Sequence, residues 1–458
     1  MTIVFVIVAA LSTNEYLTFA SLICLPFFAT LLWRIGEPPV LFFAVCFQWL
    51  QASIKIFDAN ARGMTLQDFY SGWRIDDAIW LSLIGLVVLS IGMRIALRGF
   101  TEDRSLNLTK EVETLSIQKI WCAYVAFTLF SFLLQEFTWM LPRARQAINV
   151  LLNIKWIIFF MLSMTVIGQS KNYYFLIIAV VIELVIGFTA FFSEFKQVFF
   201  VLALASLTFI RIFTKKVLIV SLFSIIVVGF LLIVWGAVKK DYREVVNLGT
   251  GTQAVLAPFQ VRFDKIIELY KNVDETTLKE GLEAFASRVA YVDYFARVME
   301  RVPENIPYED GKQWGAAIGH VMRPRLFFPD KSALPSDTLV TEKYTGYMLV
   351  LQGGEHTNVP LGYMTESYID FGPVYMFVPL FIVGLCWGLI YRYFMNTNNE
   401  VLLSYGIAVA VLIHANQLEI SLAKMLGGIL AGFLVMAIVK KFLVPALHRS
   451  FVIKEGLV

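Results

Sequence analysis

The sequence predicts an all-α polytopic membrane protein, with about eleven to twelve transmembrane helices and one large, partly helical extracytoplasmic loop. Three observations predict it. Of 458 residues, 58% are hydrophobic and only 16% are charged, against about 25% charged in an ordinary soluble domain. Eleven apolar runs come close to the ~20 residues that a bilayer crossing needs. One stretch, 237–374, holds 34 of the 73 charged residues, the density of a soluble unit. The composition excludes a soluble enzyme, a disordered chain and a nucleic-acid partner, and a net charge of +3 is too small to attract a polyanion.

The apolar runs are 16–33, 39–57, 78–97, 120–137, 151–169, 175–193, 195–213 and 217–236, followed after the charged stretch by 375–395, 401–417 and 420–440. Residues 2–12 are a twelfth candidate, short and uncharged. A secretory signal needs a basic start, and no Lys or Arg precedes Arg34. The chain thus divides into an N-terminal bundle (1–236), a large extracytoplasmic loop (237–374) and C-terminal helices with a tail (375–458). Lysine and arginine set the orientation. With the C-terminus cytoplasmic, fifteen of them lie on the inner side and six in short outer segments. With twelve helices the N-terminus is cytoplasmic too. The charged stretch 98–119 then reads as a solvated cytoplasmic connector. Cys24, Cys46, Cys122 and Cys386 all fall in apolar runs, where they pack rather than pair or hold metal.

The large loop carries 15 Lys and Arg against 19 Asp and Glu, a net of −4, and eight of the fourteen prolines. It is rich in Tyr, Phe and Val, unlike a disordered segment. Within 280–301, Leu282, Phe285, Val289, Val292, Phe295, Val298 and Met299 recur at helical spacing. The loop is expected to fold as a cap on the membrane domain.

No Walker loop, GxGxxG, HExxH, CxxC or DxD-like motif is present. Three clusters in the loop carry chemistry instead. Arg323-Pro-Arg325-Leu-Phe-Phe-Pro329-Asp-Lys331 places three cations in nine residues. The prolines hold the strip extended, which suits phosphate or pyrophosphate; the bland alternative is a solvated or salt-bridged loop. Gly353-Gly-Glu355-His356 offers an imidazole that titrates near neutrality, or merely a surface turn. Glu366-Ser-Tyr368-Ile-Asp370 puts two carboxylates on one face if helical. A desolvated Glu366 would have a raised pKa and serve as a general base; the alternative is a helix start or an interfacial ion pair. Lys196, Arg143, Arg145, Arg288 and Arg297 add cations at outer edges, each on its own as readily snorkelling or paired. Glu183, near mid-span, is expected to face a partner or cavity, protonated or hydrogen-bonded.

The layout and the loop pattern "R…Y…P…IPYEDGKQWG…RPRLFFPDK…GYMTESYIDFG" resemble the Wzy-type O-antigen and exopolysaccharide polymerases. "FFSEFKQVFFVLALA" is similar to a segment of their oligosaccharide repeat-unit branch. The layout covers most of the chain, the motif-like similarity about 100 residues. The resemblance implies a GT-C-like helical membrane glycosyltransferase at the outer face of the bacterial inner membrane. It would move a growing glycan from undecaprenyl pyrophosphate to a sugar hydroxyl of the next lipid-linked repeat unit. It implies no metal, no nucleotide and no other cofactor. Partners would be the lipid-linked oligosaccharide, membrane lipids, and a Wzz-type chain-length regulator and a flippase. Carried over by motif, Arg325, Lys331 and Arg288 match basic positions, joined by Arg323, Lys196, Arg143 and Arg145 as pyrophosphate contacts. Lys196 stands where related enzymes carry arginine. Glu366 leads as base and His356 follows, although the flanks of His356 do not establish its match to the histidine of the related ligases. Trp314, Tyr344 and Tyr368, with Tyr347 and Tyr363, would line a sugar path, or simply anchor at the interface.

Three other readings compete. An O-antigen ligase would transfer the glycan to a lipid A core. A transporter of lipid-linked sugar should show repeated halves with broken helices, and none is visible between 16–236 and 375–440. A structural subunit of a secretion complex would have no use for a cationic strip beside a carboxylate.

Overall fold

The computed structural model describes residues 2–69, 74–100, 104–140, 145–190, 195–210, 215–250, 255–289, 291–325, 327–348, 359–396, 400–412, 417–442 and 444–451. These residues form helices and connections with no β-strand among them. The N-terminal bundle contains α1 (Thr2–Ala10), α2 (Glu15–Leu32), α3 (Val40–Ala61), α4 (Leu66–Phe69), α5 (Ile75–Ala96) and α6 (Ser105–Thr114). It continues through α7 (Ile117–Met140), α8 (Arg145–Leu152), α9 (Ile154–Gln169), α10 (Tyr173–Thr189), α11 (Lys196–Phe209) and α12 (Lys215–Val246). The cap has α13 (Phe259–Lys271), α14 (Glu275–Val289), α15 (Val292–Arg301), α16 (Lys312–Val321), α17 (Asp337–Thr345) and α18 (Tyr363–Tyr375). The chain closes with α19 (Phe377–Met395), α20 (Val401–Leu412), α21 (Leu422–Phe442) and α22 (Val444–Phe451).

Eight helical stretches are long and apolar enough to cross a membrane: α2, α3, α5, α7, α8 with α9, α12, α19 and α21. Three further runs form shorter apolar helices, α10, α11 and α20. The all-helical expectation therefore holds, with eight of the eleven runs reaching crossing length among the described residues. Residues 2–10 are a short helix packed on α2.

Glycine governs the tightest helix contact. Where α5 meets α19, a Cβ on Gly384 would stand 2.1 Å from the Leu89 carbonyl oxygen, and one on Gly92 2.5 Å from that of Phe381. The two backbones touch, the arrangement by which membrane helices associate without a hydrophobic driving force.

Three boundaries differ from the sequence expectation. α12 continues ten residues past 236, to Val246, because Val238, Tyr242 and Val246 stay buried on one helical face. The helix expected over 280–301 is two, α14 and α15. Between them the Tyr291 ring is buried against Gly362, where a Cβ would stand 2.9 Å from its Cε1. Leu282 is consequently exposed, whereas Val292, Phe295, Val298 and Met299 are core. The stretch 98–119 is not simply solvated, because α6 buries Leu108 and Val112 as it packs on α9 and α20.

Among the described residues, the buried side chains of α15 to α18 belong to one core with the bundle. α14 lies on α12 and α3, α15 on α5, and α16 on α21. α18 is enclosed: every residue from Tyr363 to Asp370 is buried.

Candidate functional site

α18 is kinked at Gly372, which has φ 70° and where a Cβ would press on the Tyr308 ring. That geometry favours glycine. Upstream of the kink, Glu366 and Asp370 stand one turn apart, and each meets the start of another helix. Asp370 takes the backbone N–H groups of Gln313 (3.0 Å) and Trp314 (2.8 Å). α16 begins at Gly311, which has no side chain to offer, so Asp370 satisfies donors that a helix start leaves open. Glu366 accepts the Leu422 N–H at 3.0 Å, at the start of α21. Its carboxyl is pushed up to about 8, first by burial and then by the nearby Asp337 and Asp370, against the Leu422 N–H and Lys424. Asp370 is also raised by burial, opposed by its two N–H donors.

Polar side chains cluster around Glu366 within an apolar bundle. Lys424 pairs with Asp337 at 2.5 Å, tying α21 to α17. Gln51 of α3 donates to Glu419 and accepts the Leu418 N–H at 2.7 Å. Tyr291 stands within electrostatic reach of Glu419 and Glu366. Its hydroxyl and that of Ser421 are buried without a hydrogen-bond partner among the described residues, capacity that buried groups rarely leave unused. Three polar residues of α3 line this seam at helical spacing: Gln48 accepts from the Tyr363 hydroxyl (2.7 Å), Gln51 holds 418–419, and Lys55 pairs with Asp293 of α15 (3.0 Å).

The cationic strip follows α16 and is not extended as expected: the N–H groups of Phe327 and Phe328 turn back onto the Pro324 carbonyl, and that of Lys331 onto the Phe328 carbonyl. Arg323 and Arg325 are exposed, with no side-chain hydrogen bond or ion pair among the described residues. Lys331 is engaged: its ammonium donates to the carbonyls of His320 (2.7 Å) and Arg323 (2.8 Å), closing the end of α16. Burial and Arg325 lower the Lys331 pKa; burial, Lys331 and Arg325 lower that of His320. Glu366 and the end of α16, from which the strip follows, both meet α21. Glu366 touches Leu422, and Val321 lies 3.6 Å from where a Cβ on Gly427 would stand. Five residues of helix separate these points, about 7.5 Å of rise. Gln146 of α8 approaches the same Gly427. Arg143 and His356 lie outside the described residues, as do the side chains of Arg145 and Arg288. Lys196 begins α11, which packs on α9 and α10 away from this corner.

The aromatic candidates are mostly interior. Tyr344 is buried and donates to Glu309 (2.8 Å) while accepting from Gln313 and Lys343. Glu309 is held down to about 2, first by Lys343 and then by Tyr344. Tyr368 is buried, donates to the Val302 carbonyl (3.1 Å) and meets Phe295 and Tyr308 edge-on. Trp314 is half-buried, its indole on Ser367. Glu183 receives Lys155 (2.9 Å) and the Tyr124 hydroxyl (2.8 Å), a paired group within the bundle.

A family model described as a domain of unknown function, DUF8712, matches residues 79–447. The chain belongs to that family. The DUF8712 match runs from α5 to α22 and takes in α16, α18 and α21, whereas Gln48, Gln51 and Lys55 precede it. No curated protein and no solved structure matches the chain.

Sequence reasoning missed Gln51, Tyr291, Asp337, Glu419 and Ser421, and left Lys424 without a role. The signal for α3 was present: Gln48, Gln51 and Lys55 recur at i, i+3 and i+7 inside an apolar run, and polar groups in a span face a partner.

Proposed function

We propose that this protein is a GT-C-like membrane glycosyltransferase that polymerises undecaprenyl-pyrophosphate-linked oligosaccharide repeat units. It would work at the outer face of the bacterial inner membrane, with the cap periplasmic and the C-terminus cytoplasmic. The observation that carries the reading is the shared support on α21. A buried carboxyl with a near-neutral pKa, and the end of α16 from which a strip with two uncommitted arginines follows, both meet its first two turns. The reaction needs both. The departing pyrophosphate gains negative charge, which cations fixed in a low-dielectric site stabilise. The acceptor hydroxyl must lose a proton, most efficiently to a base whose pKa lies near working pH. Arg323 and Arg325 take the first role and Glu366 the second. Lys331 acts by holding the strip to α16. Glu366 is only 7% exposed, so the acceptor hydroxyl must enter the seam between α18 and α21.

Arg325→Ala and Glu366→Gln are expected to leave the protein in the membrane and stop chain growth, so that single lipid-linked repeat units accumulate. Full-length polysaccharide from both variants would overturn the assignment. Failure to export the repeat unit on loss of the protein would instead indicate a transporter.

A further inference from the structure

The end of α16 exposes a mixed surface that neither water nor a protein core suits. Ile318 and Met322 are 47% and 66% exposed, and Phe327 and Phe328 are 73% and 49% exposed. The N–H groups of Phe327 and Phe328 both donate to the Pro324 carbonyl (3.0 and 2.9 Å), so an ordered turn presents the rings. Lys331 braces that turn against α16. Arg323 and Arg325 immediately precede the rings, with Asp330 the nearby acid in sequence. Leaving two phenylalanine rings in water forgoes ~1.5–3 kcal/mol of burial each.

The depth of this surface is fixed by its neighbour. Val321 meets α21 at Gly427, about 7.5 Å along a helix that is apolar and long enough to cross a membrane. α21 itself exposes Leu434 and Ile438, as a lipid-facing helix does. The apolar end of α16 is therefore continuous with a membrane wall and lies below its rim. Apolar rings beside arginines match the boundary between acyl chains and phosphates, where basic side chains reach up to the headgroups.

We propose that the end of α16 is an interfacial anchor. Phe327, Phe328 and Met322 enter the acyl boundary of the leaflet beside the start of α21, which sets Arg323 and Arg325 at the level of the membrane phosphates. The inference rests on the protein being in a membrane and not on the reaction proposed above.

Spin labels test it. The four native cysteines are replaced by alanine, and single cysteines are placed at Phe327, Phe328, exposed Ser332 and Leu389, the last exposed on the α19 span. The labelled protein is reconstituted in phosphatidylcholine–phosphatidylglycerol vesicles. Labels at 327 and 328 are expected to collide more with oxygen than with an aqueous nickel chelate, as at 389, and the label at 332 to show the reverse. Arg323→Glu with Arg325→Glu should shift the 327 label toward the pattern at 332. Nickel collisions at 327 and 328 as frequent as at 332, with 389 still in lipid, would overturn the anchor: that face would meet water. Low collisions with both reagents would mean that it docks on protein, which also overturns it.

Discussion

At the residue scale, Glu366 makes the sharpest statement. Its carboxyl ordinarily titrates near 4.5 and is raised to about 8 in the folded chain. Between those values the folded form binds a proton that the unfolded form has released. The contribution to stability is thus full below about 4.5, falls as pH rises, and is lost above about 8. Thermal unfolding in detergent should show a midpoint that declines across this window relative to Glu366→Gln, and a constant difference above it. A difference independent of pH would mean that Glu366 is ionised throughout. Asp370 acts otherwise. Asp370→Ala removes the acceptor of two helix-start N–H groups and is expected to cost about 1–2 kcal/mol, read as a lower unfolding midpoint, while Asp370→Asn keeps part of it. Lys155 and Glu183 form a third case. Removing one partner strands a charge in the bundle, at about 3–5 kcal/mol. Glu183→Leu alone should therefore destabilise more than Glu183→Leu with Lys155→Met, and equal losses would show that the pair is not coupled.

At the element scale, the outcome depends on which helices touch through backbone. Gly384 lies against the Leu89 carbonyl, and no rotamer change moves a carbonyl out of the way. Gly384→Leu should part α5 from α19 and abolish recovery of folded protein by size exclusion. Gly229 has open space around the corresponding position, so Gly229→Ala should be tolerated, and its gain in helix propensity is up to about 1 kcal/mol. α16 is held at both ends, by Asp370 at its start and Lys331 at its close. Its orientation is therefore set both by a neighbour in sequence and by Asp370, 57 residues beyond Gln313.

At the scale of the whole molecule, hydropathy made the helical bundle legible because an apolar run of bilayer length rarely serves any purpose but crossing one. The eleven runs all became apolar helices, and the charge-rich 237–374 stretch holds the end of α12 and the shorter helices α13 to α18. What escaped was tertiary in origin. The break at Tyr291 has no Gly or Pro to mark it and exists because the ring packs on Gly362. The helical spacing of Glu366 and Asp370 was legible, yet their occupation by the starts of α21 and α16 was not, since those partners lie 56 and 57 residues away. Tyr344 and Tyr368 read as open aromatics in a polar loop, but the loop packs tightly enough to bury both.

The central claim is that the protein itself joins lipid-linked repeat units. The direct measurement supplies purified, reconstituted protein with undecaprenyl-pyrophosphate-linked repeat units, without nucleotide sugar or divalent metal, and resolves the products by chain length. A ladder of longer lipid-linked glycans, absent with Arg325→Ala, is the predicted result. Unchanged single repeat units, or transfer only to an added lipid A core, would contradict it.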